Sequence, residues 1–202
     1  MSRVVAAAIV AGGPARRLGG IAKPFINIGG RTVAERQLAL LRSAFPRVLV
    51  VANDPAPWAG LAVEVIADRV LGGGPLAGID AALTAAEGSD AVVCVAGDLP
   101  FLTPEIMAAL RDHAPDADAV APRGSTGRIE PLCARYGRTL LPAIDARLRA
   151  SELAVHQLLD GAAVAWLEGD DLRALDPDGT CFLNLNTPDD ILRAEAIAKQ
   201  RP

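Results

Sequence analysis

The chain has 202 residues, 51% of them hydrophobic and 22% charged, and a net charge of −4. That length suits one domain with a proper core, and that balance excludes a disordered chain or a basic nucleic-acid binder. The three cysteines, Cys94, Cys133 and Cys181, lack metal-ligand spacing, and the N-terminal apolar run is too short to span a membrane. A cytoplasmic protein with buried, reduced thiols is therefore expected, with no nucleic-acid or membrane partner.

The apolar run Val4 to Val10 has no polar alternation, as in a strand buried in a parallel sheet. It ends at Ala11-Gly12-Gly13, followed by Arg16, Arg17, Gly19-Gly20 and Lys23. Glycines in such a turn let backbone N–H groups approach an anion, and the cations supply charge for a polyphosphate. The Walker pattern fails, because Lys23 precedes Pro24 and follows no glycine; the G-x-G-x-x-G fingerprint is also absent. The plain alternative is a flexible glycine-rich surface loop.

Phe25 to Ile28 is a short apolar segment closed by Gly29-Gly30. Thr32 and Glu35 predict a capping box, and Leu38, Leu41 and Phe45 recur at helical spacing until Pro46. Val48 to Ala52 and Leu61 to Ile66 read as strands, ending near Asn53 and Asp68. Leu71 to Gly78 is a second glycine-rich loop, with Pro75 placed to open a helix that runs to about Ala86. Ala91 to Val95 is a fourth strand, ending at Gly97-Asp98-Leu99-Pro100. A helix from Thr103-Pro104-Glu105 to His113 and a strand over 118–121 follow. Glu130 to Tyr136 reads as a strand, 140–148 and 153–159 as helices, and Ala162 to Leu167 as a strand. Gly169 to Gly179 is acidic and loop-like. Thr187, Pro188 and Asp190 cap the last helix. There is no repeat, linker or low-complexity stretch, so residues 1–202 read as one mostly parallel α/β domain.

The polar features sit just after strands, where ligands bind in open parallel sheets. Asp98 suits Mg²⁺, a hard cation that takes few protein oxygens and several phosphate oxygens; a turn or capping aspartate is the alternative. Arg17 and Lys23 would offset triphosphate charge, and the Gly12 and Gly13 amides would cradle it. Asn53 and Asp68 could read a base or ribose, or be turn residues. No nucleophile–base pair is visible, and His113 and His156 both fall in helices. That suits a reaction run by positioning and charge stabilisation, such as phosphoryl-type transfer.

Together these residues resemble the molybdenum cofactor guanylyltransferase (MobA) family. Its opening pattern, Leu-Ala-Gly-Gly-x-x-x-Arg-Met-Gly-Gly-x-x-Lys, stands here as Val10 to Lys23, departing only at Val10 and Leu18. Asn53, Asp68, Gly74-Pro75-Leu76-Ala77-Gly78, Asp98-x-Pro-Phe and Asn184-x-Asn186-Thr187-Pro188 follow in order. The resemblance implies a three-layer, Rossmann-like nucleotidyltransferase fold. It implies transfer of GMP from GTP, with Mg²⁺, to molybdenum-molybdopterin, giving the guanine dinucleotide and pyrophosphate. Val10, Ala11, Gly12, Gly13, Asn53 and Asp68 would contact GTP; Arg17 and Lys23 would face the phosphates; Asp98 would bind the metal. Gly74, Gly78, Asn184 and Asn186 would line the acceptor side, with the N-terminal half binding GTP and metal and the C-terminal half forming the pterin-acceptor side. Molybdoenzyme maturation proteins are implied as further partners, and a monomer is expected. Some relatives carry an acceptor-phosphate arginine near position 153; here Arg149 is the nearest. The competing readings are a cytidylyltransferase, a sugar-phosphate nucleotidyltransferase, or a non-catalytic nucleotide- or pterin-binding delivery protein.

Overall fold

Seven apolar segments build one sheet: β1 (Val5–Val10), β2 (Val48–Val51), β3 (Glu64–Ile66), β4 (Ala91–Ala96), β5 (Ala119–Pro122), β6 (Cys133–Gly137) and β7 (Val164–Leu167). This computed structural model describes residues 3–11, 17–18 and 21–200. The strand order is β7-β5-β6-β4-β1-β2-β3. Every pairing is parallel except those of β6, which runs antiparallel to both β4 and β5. From β1 the chain builds outward through β2 and β3, then crosses to the other side of β1 to lay down β4. The strand order therefore reverses between β1 and β4, and a crevice opens at their carboxyl ends.

Alternation along each strand feeds two cores. Ala6, Ala8, Val92 and Cys94 face helices α2 (Gly74–Ala85), α4 (Leu141–Arg149) and α5 (Val155–Asp160), meeting Leu76, Ile79, Ile144 and Leu158. Val5, Ala7, Ile9 and Val93 face α1 (Val33–Ala44) and α3 (Pro104–Asp112), meeting Leu38, Leu41, Ile106 and Leu110. These are the three layers expected of an α/β sheet covered on both faces. A third, smaller cluster joins Ile26, Ile28, Val33, Phe101, Leu183, Leu185 and Ala194. It ties the hairpin of Asn27–Ile28 and Arg31–Thr32 to the segment before the last helix, α7 (Pro188–Gln200). All three cysteines are buried, and burial pushes the Cys94 thiol up to about 12, so it stays protonated.

Several local expectations hold in detail. Thr32 Oγ1 accepts from the Glu35 amide at 3.2 Å while Glu35 accepts from the Thr32 amide at 2.7 Å. Thr103 caps α3. Elsewhere the boundaries move for identifiable reasons. The strand expected from Leu61 begins only at Glu64, because Ala56–Leu61 forms a 3-10 turn anchored by buried Trp58 and ended by Ala62 at φ 48°. The strand expected from Glu130 begins at Cys133, since Pro131 has no N–H to give a ladder. The acidic stretch read as a loop contains α6 (Gly169–Leu175); Asp170 and Asp171 occupy its first turn, where carboxylates favour a helix. His113 lies just past α3 rather than inside it, its amide bonded to the Ala109 carbonyl at 2.9 Å. Among the described residues, no helix is long and apolar enough to cross a membrane.

Candidate active site

The carboxyl ends of β1 and β4 lie side by side, with Val10 paired to Ala96. Beyond them, the Gly97 amide donates to the Val10 carbonyl at 3.2 Å. A Cβ on Gly97 would come within 2.9 Å of Pro24 Cγ and 3.4 Å of Ala11 Cβ. Glycine here lets the Lys23–Pro24 turn close over the end of β4, which brings Lys23 to Asp98. The Lys23 ammonium donates to Asp98 Oδ2 at 2.8 Å and to Asn186 Oδ1 at 2.6 Å. The Lys23 and Asp98 side chains are only 13% and 17% exposed, so this ion pair is better shielded from water than a surface one.

Asn186 is delivered by two devices. The Leu185 amide donates to the Asp98 carbonyl at 3.2 Å, and Leu183 and Leu185 sink into the third apolar cluster. The Asp190 carboxylate then accepts from the Asn186 amide at 3.0 Å, and from the Thr187 amide and hydroxyl at 2.8 and 2.9 Å. These bonds, the Thr187 hydroxyl first, hold the Asp190 carboxyl below its ordinary value. Asn184 does not join this group: its Nδ2 donates to the Phe182 carbonyl.

A second constellation lies past β2 and β3. Asn53 Nδ2 donates to Asp68 Oδ2 and the Asp68 amide donates to Asn53 Oδ1, both at 3.0 Å. Asp68 Oδ1 is covered and has no hydrogen-bond partner among the described residues. Burial pushes the Asp68 carboxyl above its ordinary value, and the Asn53 hydrogen bond opposes that rise. A covered carboxylate oxygen without a donor is costly, and calls for a ligand or an ordered water.

Of the remaining expected positions, Val10 and Ala11 border the crevice. Gly74, at φ 59°, opens α2. Gly78 is buried, and a Cβ there would overlap Val10 Cγ1. Its lack of a side chain seats α2 on the end of β1, placing it under the crevice rather than on its wall. Gly12, Gly13 and the side chain of Arg17 lie outside the described residues.

Glu130 was not singled out by its sequence. The chain turns just ahead of β6, the Cys133 amide donating to the Glu130 carbonyl at 3.1 Å, and this leaves Glu130 near enough to Asp98 to feel its charge. Burial pushes the Glu130 carboxyl up; the Arg128 guanidinium opposes the rise and the Asp98 charge adds to it. A carboxylate-proline step just ahead of an apolar strand was the available signal. Ile129 and Pro131, on either side of Glu130, line a cavity of 440 Å³ together with Pro75, Leu153, Val155 and His156. Arg149 is not part of that lining; it pairs with Asp145 on the exposed side of α4 at 2.9 Å.

The Asp98 and Asn186 oxygens meet one cation, the Lys23 ammonium. Two hard oxygen donors suit an ion that completes its shell with phosphate oxygens.

Residues 7–164 match the family model described as the MobA-like NTP transferase domain. A probable molybdenum cofactor guanylyltransferase of Pelotomaculum thermopropionicum is 32% identical, over 95% of this chain and 92% of that protein. A molybdenum cofactor guanylyltransferase of Cereibacter sphaeroides is 35% identical, over 95% and 96%. Among solved structures, molybdopterin-guanine dinucleotide biosynthesis protein A from Archaeoglobus fulgidus superposes with a TM-score of 0.81 at 29% identity, covering 96% of this chain and 98% of that one. With the switch-point crevice and its lysine, aspartate and asparagine already in place, these matches show that the chain belongs to the MobA-like NTP transferase family of molybdenum cofactor guanylyltransferases and is a nucleotidyltransferase.

Proposed function

We propose that this enzyme transfers GMP from GTP to molybdenum-molybdopterin, releasing pyrophosphate. The observation that carries the reading is the convergence of Lys23, Asp98 and Asn186 at the β1/β4 switch point. Asn53 and Asp68 supply the base side: a carboxylate oxygen lacking a donor fits the N1–H and N2–H₂ edge of guanine, a pair of adjacent donors that cytosine does not present. The cavity beside Glu130, lined by Pro75, Ile129, Pro131 and Leu153, has the size and apolar walls for a flat heterocyclic acceptor.

In this reading the acceptor's terminal phosphate attacks the α-phosphorus of GTP in line, and pyrophosphate departs on the opposite side. The attacking phosphate is already anionic at neutral pH, so no general base is needed. Lys23 moves its hydrogen bonds from Asp98 to the phosphates and stabilises the leaving pyrophosphate. Asp98, with Asn186 beside it, would hold Mg²⁺, and the bound ion would supply positive charge to offset the charge gathered in the transition state.

The test is guanine dinucleotide formation from GTP and molybdenum-molybdopterin by purified protein, with pyrophosphate release followed in parallel and CTP as control. Product from GTP and little from CTP is expected. Preferential use of CTP would make it a cytidylyltransferase, and nucleotide binding without pyrophosphate release would make it a delivery protein.

A further inference from the structure

Asp68 and Arg69 are consecutive in an irregular segment, yet their side chains are anchored on different elements. Asp68 is clamped to Asn53 past the end of β2. Arg69 Nη1 donates to Asp80 Oδ2 at 3.2 Å and to Thr84 Oγ1 at 2.8 Å, two positions one turn apart on α2. Asp80 is 4% exposed and stands among Leu76, Ile79 and Leu83 on a helix whose buried positions are otherwise apolar. Burial pushes its carboxyl up and the Asp145 charge adds to that, while Arg69 opposes both. A carboxylate so placed costs stability unless it is paired, and an apolar residue of similar size would serve the packing of α2 at least as well. Packing therefore does not explain why an aspartate stands there.

The segment after Arg69 is short and turned. The Gly73 amide donates to the Val70 carbonyl at 3.2 Å, Gly72 has φ 80°, and α2 begins at once. Besides that turn, the backbone from Asp68 to Gly73 is held by the Asn53 clamp at one end, by the Ala77 amide on the Gly73 carbonyl at 3.3 Å at the other, and by the Arg69 guanidinium on α2 between them.

We propose that the ion pair of Arg69 with Asp80, supported by Thr84, pins the Asp68–Gly73 segment to α2 and thereby positions Asp68 to read the nucleotide base. Arg69 and Asp80 are positioning residues; neither touches substrate. The pair also keeps Arg69 occupied. A released guanidinium one residue from Asp68 would compete for the carboxylate that the base needs. The proposal rests on Asp68 being the base-reading residue of the function above. Lys23, Asp98 and Asn186 are untouched by it, so the loss falls on nucleotide binding and not on the chemical step.

The experiment compares Arg69→Gln, Asp80→Asn and the conservative Arg69→Lys with the unaltered enzyme. Hydrogen exchange at residues 68–73 is measured without nucleotide, and kcat and KM are measured for GTP. We expect exchange in that segment to quicken about tenfold in the first two variants. KM for GTP rises about five- to tenfold, with kcat within about twofold, and Arg69→Lys keeps most of the affinity. Exchange unchanged in both charge-removing variants would overturn the pinning. Quickened exchange with an unchanged KM would overturn its role in nucleotide binding, as would an equal fall in kcat and kcat/KM. If the unaltered enzyme fails to turn over GTP, the function reading fails by itself, and the pinning is decided by the exchange data alone.

Discussion

Asp98 is where the loss of two oxygens should cost most. Its carboxylate holds Lys23 now and is the charged donor available to a metal beside Asn186. Asp98→Ala is expected to lower kcat about a thousandfold or more, with Mn²⁺ binding lost in titration calorimetry. The fold should remain, because the replacement leaves one partly covered ammonium with a remaining partner at Asn186. A variant retaining near-normal rate at saturating GTP and metal would remove the metal assignment. Asp68 makes the opposite kind of prediction. Its carboxyl is raised above the ordinary 3.8 by burial, so the folded chain holds that proton more tightly than the unfolded one. Stability from this group is greatest below the ordinary value and falls as pH rises through the raised one. At neutral pH the ionised Asp68 therefore costs stability, and Asp68→Asn should raise the melting temperature of the nucleotide-free protein while raising KM for GTP. A lowered melting temperature would contradict the burial assignment.

At the scale of one element, α7 does more than pack on the Asn27–Ile28 hairpin. Its N-terminal box is the device that aims Asn186, because the Asp190 oxygen bonded to Thr187 also takes the Asn186 amide. The Asp190 carboxyl is held below its ordinary 3.8, so its contribution is complete above that value and is lost as pH falls through the lower folded one. Asp190→Asn is expected to flatten the acid limb of thermal stability below about pH 4 and to lower kcat at neutral pH through a looser Asn186. Circular dichroism melts across pH 2.5 to 7, beside neutral-pH kinetics, check both halves. An acid limb as steep as that of the unaltered protein would show that the box carries no such linkage. The contrast with α6 is instructive: both helices open on two aspartates, but only α7 follows the Thr-Pro signal that makes the start readable.

For the whole molecule, the antiparallel strand β6 decides what stands beside the crevice. It inserts between β4 and β5, and the turn that leads into it brings Glu130 near Asp98 and the flanking residues to the cavity wall. It also carries Arg135, which is fully buried and donates to the carbonyls of Arg111, His113 and Ala114 at 3.1, 2.9 and 2.6 Å. These are carbonyls at and just past the C-terminus of α3, where a cation also meets the negative end of the helix dipole. Arg135 thus locks a helix of one layer to the middle layer. Arg135→Met fills much of the volume but leaves those carbonyls without donors, and should cost about 3 kcal/mol in denaturant unfolding. A change under about 1 kcal/mol would mean that water replaces the guanidinium without penalty.

Much of this design is readable in the chain. The apolar runs of β1, β2 and β4, the Thr32–Glu35 and Thr187–Asp190 boxes, and the Pro75 and Pro104 helix starts each depend on residues a few positions apart. Local sterics and local hydrogen bonds determine them, so the sequence alone suffices. Asp98 and Lys23 were legible as polar groups past strand ends, and the opening motif pointed to a nucleotidyltransferase. What the sequence could not assign was which of these groups meet. Lys23 bonds residues 75 and 163 positions away, and Asn186 therefore joins Lys23 and Asp98 instead of Asn184. Gly78 proved to be the space into which Val10 packs, Glu130 came near Asp98 through the turn that leads into β6, and Arg69 found a buried carboxylate on α2. Each of those outcomes depends on strand order, strand direction and the close packing of layers, which only the tertiary structure decides.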